Sequence, residues 1–224
     1  RRDRFDGYIA GAGSTSGRRF VVGVWERSPL GAFADVMVAH PDGCRELLAP
    51  SEQVAEYVSG TYQFDGVTLV DVVVDRSVRD GGERWVVQAG ELQLSLAVGG
   101  RLLLAAPLLP VRGPLVHPLT ARLIDPVARR VMPGVRTSGT AGNGRREHYL
   151  AQDLHAVEHI EGTWAGEPVG ALADVAPEPN FGFSSTPRRP AVTRDGQPVA
   201  VKFDEVIPNR RAAERARGRG CGKR

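Results

Sequence analysis

At 224 residues and 24.1 kDa, the chain makes one large domain or two small ones and is long enough to bury a substantial core. Its 42% hydrophobic and 25% charged residues are a globular balance, and 27 glycines and 16 prolines point to short elements joined by many loops, against a helical bundle. The net charge of +3 belongs to the terminus: residues 209–224, NRRAAERARGRGCGKR, carry seven basic residues and one acidic, so the rest of the chain is net −3. That argues against nucleic acid or an anionic membrane surface as a partner of the body and leaves such contacts to this basic tail, which reads as a disordered, solvated terminus.

The opening RRDRFDGYIAG lacks the apolar run of a secretory signal. GAGSTSG, 11–17, reads as a flexible polar loop. Its glycines fit neither G-x-x-x-x-G-K-S/T, which needs a lysine, nor G-x-G-x-x-G, so no phosphate cradle is expected. FVVGVW, 20–25, is β-branched and aromatic and predicts a strand. In ADVMVAHPDGCRELLAP, 34–50, Pro41-Asp42-Gly43 divides two apolar runs and predicts a hairpin. His40 and Cys44 flank that turn and could approach as base and thiol, although no third residue stands out to orient them. Cys44 and Cys221 are the two cysteines; a disulfide between them is one option, and so low a count suits a reducing, cytoplasmic compartment. SEQVAEYVSG, 51–60, predicts a short helix around 51–59, capped by Ser51, favoured by Glu52 in its first turn and ended by Gly60.

VTLVDVVVD, 67–75, predicts a strand, with Asp71 and Asp75 sharing one face at the spacing of a carboxylate pair. WVVQAG, 85–90, and ELQLSLAV, 91–98, follow. In the second, Leu92, Leu94, Leu96 and Val98 share one face, opposite Glu91, Gln93, Ser95 and Ala97. Gly99-Gly100 predicts a hairpin turn with RLLLAA, 101–106, returning. The apolar stretch 92–111 is cut by Gly-Gly, Arg101 and Pro107, short of the ~20 uninterrupted apolar residues of a membrane helix, so no membrane insertion is expected.

From 107 to 144 the periodicity fades. RREHYLAQDLHAVEHIEG, 145–162, then predicts the principal helix, around 146–161, with Leu150, Leu154 and Val157 as the packing stripe and His148, His155 and His159 almost opposite. HAVEH, 155–159, also spells the inverted zinc-peptidase motif H-x-x-E-H. On a helix, His155 and His159 could converge on one ion while Glu158 polarises a bound water. That makes His155, Glu158 and His159 candidate catalytic residues, and His155 and His159 candidate metal ligands. A third ligand is missing: His148 lies about 10 Å away along the helix axis, and Glu167, Glu178, Glu205 and, in the tail, Glu214 have no distinctive context. A second arrangement sets the histidines at the mouth of a pocket, where His148, with Arg136, Arg145 and Arg146, would suit an anionic ligand. The bland arrangement is a solvated polar helix face. VAVKFDEV, 199–206, predicts a last strand carrying Lys202.

Consecutive hairpins with one good helix predict an α+β fold, mostly antiparallel, with a strongly twisted or closed barrel-like sheet. The expected organisation is a single domain over 1–208 and a flexible tail over 209–224. Three functional readings follow: a domain binding a small molecule, with chemistry or without it, in a pocket lined by histidine and arginine; a structural or protein-interaction domain; and a metal-dependent hydrolase built on 155–159. No motif names a cofactor, and nothing in the sequence sets the oligomeric state.

Overall fold

The computed structural model describes residues 2–79, 82–102, 138–140, 146–148, 154–182, 186–193 and 201–204. In chain order these form β1 (Arg2–Ser14), β2 (Arg19–Arg27), β3 (Phe33–Ala39), β4 (Arg45–Ala49), α1 (Glu52–Ser59), β5 (Gly66–Leu69), β6 (Val72–Arg79), β7 (Gly82–Ala89) and β8 (Leu92–Arg101). The later elements are β9 (Ser138–Thr140), β10 (Arg146–His148), β11 (Leu154–Trp164), β12 (Glu167–Pro168), β13 (Leu172–Ala173), β14 (Ala191–Thr193) and β15 (Val201–Asp204).

The fold is α+β, with one principal helix and a curled, mostly antiparallel sheet in the order β5-β4-β3-β2-β1-β14-β11-β8-β7-β6. Its two end strands, β5 and β6, are joined by Val70 and Asp71 alone, so the chain draws the ends of the sheet together into a half-barrel. Near one edge β4 and β5 pair in parallel, because α1 carries the chain back between them. The second edge of the long strand β1 is shared by β13, β14 and β15, which pair with Gly13–Ser14, Ala10–Gly11 and Arg2–Phe5 in turn.

Alternation decides what the curl encloses. Ala10, Ala12, Phe20, Val22, Val36, Val38 and Leu48 from one wall meet Trp85, Val87, Leu92, Leu94, Leu96, Val98, Val157 and Ile160 from the other. On the far face of β3 and β4, Phe33, Met37, Leu47 and Ala49 pack beneath Val54, Ala55 and Val58 of α1. The helix forms where its caps predict: the Ser51 hydroxyl accepts from Val54 N–H at 3.3 Å, and Gly60 follows its last turn.

Several expectations need correction. The principal helix is α1; residues 146–148 and 154–161, expected within a helix over 146–161, belong to strands β10 and β11. The cause lies in two register shifts between β11 and β8. Val157 and Ile160, three apart, face Val98 and Leu96, two apart, so Glu158 and His159 together oppose Ala97. A bulged strand therefore carries apolar residues at a helical spacing. Gly99-Gly100 is no turn, since β8 runs through it to Arg101 and takes up the other shift. Residues 67–75 are divided between β5 and β6, and Gly11–Ser14 of the expected loop belong to β1. The hairpin at 41–43, the β7–β8 pair and the strand within 199–206 stand where the sequence places them. The return strand 101–106 lies beyond the described residues after Leu102, as does the tail over 209–224.

Candidate functional site

Two polar bridges span the concave face of the half-barrel, one toward each end, with the apolar layers between them. At the first, Arg76 of β6 lies over the Tyr8 ring of β1, 3.6 Å from its centroid, although β14, β11, β8 and β7 separate these strands along the sheet. The same guanidinium is 5.0 Å from the Trp85 ring. Its Nε and Nη2 donate to Glu83 Oε1 at 3.1 and 2.9 Å, and Trp85 Nε1 donates to that same oxygen at 2.9 Å. The Glu83 side chain is 2% exposed and that of Arg76 24%. A carboxylate so deep in an apolar wall is tolerable because three donors reach one oxygen and the counter-charge is adjacent. Arg76 keeps the donors of Nη1 unengaged among the described residues.

At the other end, His40 follows β3 and Glu46 lies on β4. His40 Nε2 is 3.0 Å from Glu46 Oε2, and Thr68 of β5 donates to Glu46 Oε1 at 2.5 Å. The His40 ring stands edge-on to Trp164 of β11, at 4.9 Å and 80°. Arg18, in the β1–β2 turn, places its guanidinium 5.7 Å from the centroid of that indole. Arg19 Nη2 donates to the His40 carbonyl at 3.3 Å.

The histidines of 155–159 separate. His155 pairs with Val192, which pairs with Ala10; opposed residues share a face, so His155 projects to the concave side. It is half-buried, with Nδ1 3.0 Å from the Gly99 carbonyl. His159 opposes Ala97 on the convex side, 63% exposed, with Nε2 4.0 Å from Glu161 Oε2. Glu158 is the exposed extra residue of the bulge, its Oε1 3.4 Å from Gly100 N–H. The two imidazoles thus lie on opposite faces of a strand, where the convergence that a helix would give is lost. Among the described residues no group of three His, Cys, Asp or Glu side chains is placed to hold a metal ion. Arg146 and His148 lie on β10, beside β15 and β9. Arg136 and Arg145 lie outside the described residues. Cys44 is disulfide-bonded and offers His40 no free thiol. Asp71 and Asp75 are both exposed.

Sequence reasoning passed over Tyr8, Arg76, Glu83 and Trp85. The available signal is a charged residue on an apolar stripe: Val72, Val74, Arg76 on β6 and Glu83, Trp85, Val87 on β7 alternate onto the inner face. No helix among the described residues is long and apolar enough to cross a membrane.

No protein-family model matches the chain, and no curated protein matches it. Among solved structures it is similar to a Nitrosomonas europaea protein carrying the name AttH (NE1406), with 12% identity and a TM-score of 0.31. The alignment covers 93% of this chain and 54% of the other, so the chain spans about half that protein's length. A likeness of that degree assigns neither fold nor function.

Proposed function

We propose that the chain is a small-molecule-binding β-rich domain whose ligand docks on the concave face at the Tyr8–Arg76 bridge, with His155 on the same face. The observation that carries this reading is Arg76 itself. It is a cation on an apolar concave wall, placed by two aromatic rings and a buried carboxylate, with its Nη1 donors unengaged among the described residues. An apolar surface with a few convergent polar groups is the usual make-up of a ligand site. Arginine's planar fork favours a ligand that couples an apolar or aromatic body to an anionic group.

The test uses 1-anilinonaphthalene-8-sulfonate, whose rings and sulfonate match that description. Its fluorescence should rise saturably with one site per chain. Arg76→Met should weaken binding about tenfold, the scale of one charge-assisted hydrogen bond, with the far-ultraviolet circular dichroism unchanged. Tyr8→Leu should weaken it as well. Non-saturating fluorescence, or equal affinity in all three proteins, would remove this reading.

A further inference from the structure

We propose that α1 is a pH-sensitive cover: it closes over Asp35 as a neutral acid and, once that acid ionises, lifts from the sheet while the rest of the fold stays intact. Asp35 stands between Phe33 and Met37 on the helix-covered face of β3 and is 1% exposed. Its carboxyl accepts a hydrogen bond of 2.9 Å from Trp25 Nε1, and among the described residues it has no other hydrogen-bond donor and no ion-pair partner. A carboxylate has acceptor sites for about four donors and a charge to compensate. With one donor and no counter-charge, a buried site favours the neutral acid. Burial accordingly raises the Asp35 carboxyl to about 7, with the Trp25 hydrogen bond opposing it.

Among the described residues, no charge on the elements around Asp35 is placed to answer its own. On β2, Gly23 stands opposite; Arg19, on the same face, opposes Ala39, about 13 Å along β3 from Asp35. Arg19 donates instead to the His40 carbonyl at 3.3 Å. On β4, Leu47 and Ala49 are apolar, and Arg45 is held by Asp65. From β1, Asp3 accepts from the Tyr57 hydroxyl at 3.1 Å. From α1, Val54, Ala55 and Val58 are buried against the sheet, while Glu52 and Glu56 are exposed. Tyr57 of α1 also leans on Phe5, and Phe5 on Trp25, at 5.1 and 5.5 Å between ring centroids. The helix is thus packed, through two rings, against the indole that holds Asp35.

α1 is built to move by itself. Its eight residues make about two turns, too few to persist off the sheet. Pro50 and Ser51 join it to β4, and Gly60 follows its last turn. Its apolar cluster lies on the other side of the sheet from Phe20, Trp85 and Leu96, so lifting α1 breaks no ladder hydrogen bond and leaves the enclosed layer covered.

Native-state amide hydrogen exchange on the full chain tests the cover, at pH 5, 6, 7 and 8, with rates corrected for intrinsic exchange, in the wild type and in Asp35→Asn. In the wild type the opening constant of the α1 amides should rise by up to about tenfold per pH unit until about pH 7, then level off as the closed form also loses its proton. α1 should open more often than β8, and dilute urea should leave its opening unchanged, the mark of a local event. In Asp35→Asn the pH slope of α1 should vanish. An α1 opening constant equal to that of β8 at every pH, or a slope that persists in a folded Asp35→Asn, would overturn the proposal. If Asp35→Asn does not fold, the wild type still decides: an α1 opening constant that is flat between pH 5 and pH 7 overturns the cover, and one that rises there and levels above pH 7, apart from β8, supports it.

Discussion

Asp35 shows how much one side chain depends on its neighbours across the sheet. It shares the helix-covered face of β3 with Phe33 and Met37, is 1% exposed, and takes one hydrogen bond of 2.9 Å from Trp25 Nε1. Gly23 stands directly opposite, where a Cβ would lie 2.6 Å from Asp35 Oδ1 and 2.8 Å from Trp25 Nε1. A glycine there is the condition for the bond. Burial raises the Asp35 carboxyl from 3.8 to about 7, against the smaller opposing effect of the indole N–H. Over that window the folded chain keeps a proton that the unfolded chain has released. Stability is therefore full below pH 3.8 and falls as pH rises to about 7, by at most about 1.4 kcal/mol per pH unit. Asp35→Asn keeps an acceptor for Trp25 and removes the titration. Urea midpoints at pH 5 and pH 8 should fall less for the variant than for the wild type; parallel profiles would show that Asp35 does not carry the dependence.

Among the elements, β11 has a sequence that misleads about its conformation. Val157 and Ile160 of the inner face stand three apart, and the inward positions of a regular strand recur every second. The bulge reconciles the two by adding one residue, Glu158, between Val157 and His159. Removing Glu158 would leave His159 opposite Ala97 and Val157 opposite Val98, a plain ladder with its inner face intact. That deletion should fold with the native circular dichroism and lose no more than about 2 kcal/mol in urea unfolding. Removing Gln88 from β7, where pairing with β8 is unbroken, shifts one side of the strand by a residue and turns its inner side chains outward; this variant should fail to fold. Equal damage in the two would mean that β11 is not bulged at Glu158. The α1 caps and the β3–β4 turn were legible because they act within a few residues of chain.

Across the whole molecule, the ends of the curl are tied by Tyr8–Arg76 and His40–Trp164, contacts between strands far apart in the sheet order. Between them sits a dry layer in which Phe20, Trp85, Leu92, Leu96 and Ile160 are each at most 1% exposed. Strands with partners on both sides and this layer beneath them should open only with the whole fold. Amide hydrogen exchange is expected to be slowest in β2, β7 and β8, and faster in β5, which has β4 alone as its partner in the sheet order. Protection in β5 equal to that in β8 would place a further partner on that edge.

The sequence by itself determined what acts locally: the alternation of β7 and β8, the 41–43 turn, the caps of α1, and an α+β class rich in antiparallel strands. It also displayed the residues of both bridges without marking them as partners, since Tyr8 and Arg76, or His40 and Trp164, share no spacing that a motif could record. Only the tertiary structure decided that His155 and His159 face opposite sides, that Arg76 lies on Tyr8, and that β5 and β6 meet across Val70 and Asp71. The physical reason is one of range. Propensity, capping and alternation act over a turn or a few pleats, whereas a bulge and a curl are settled by which distant strand supplies the hydrogen bonds and covers the apolar face.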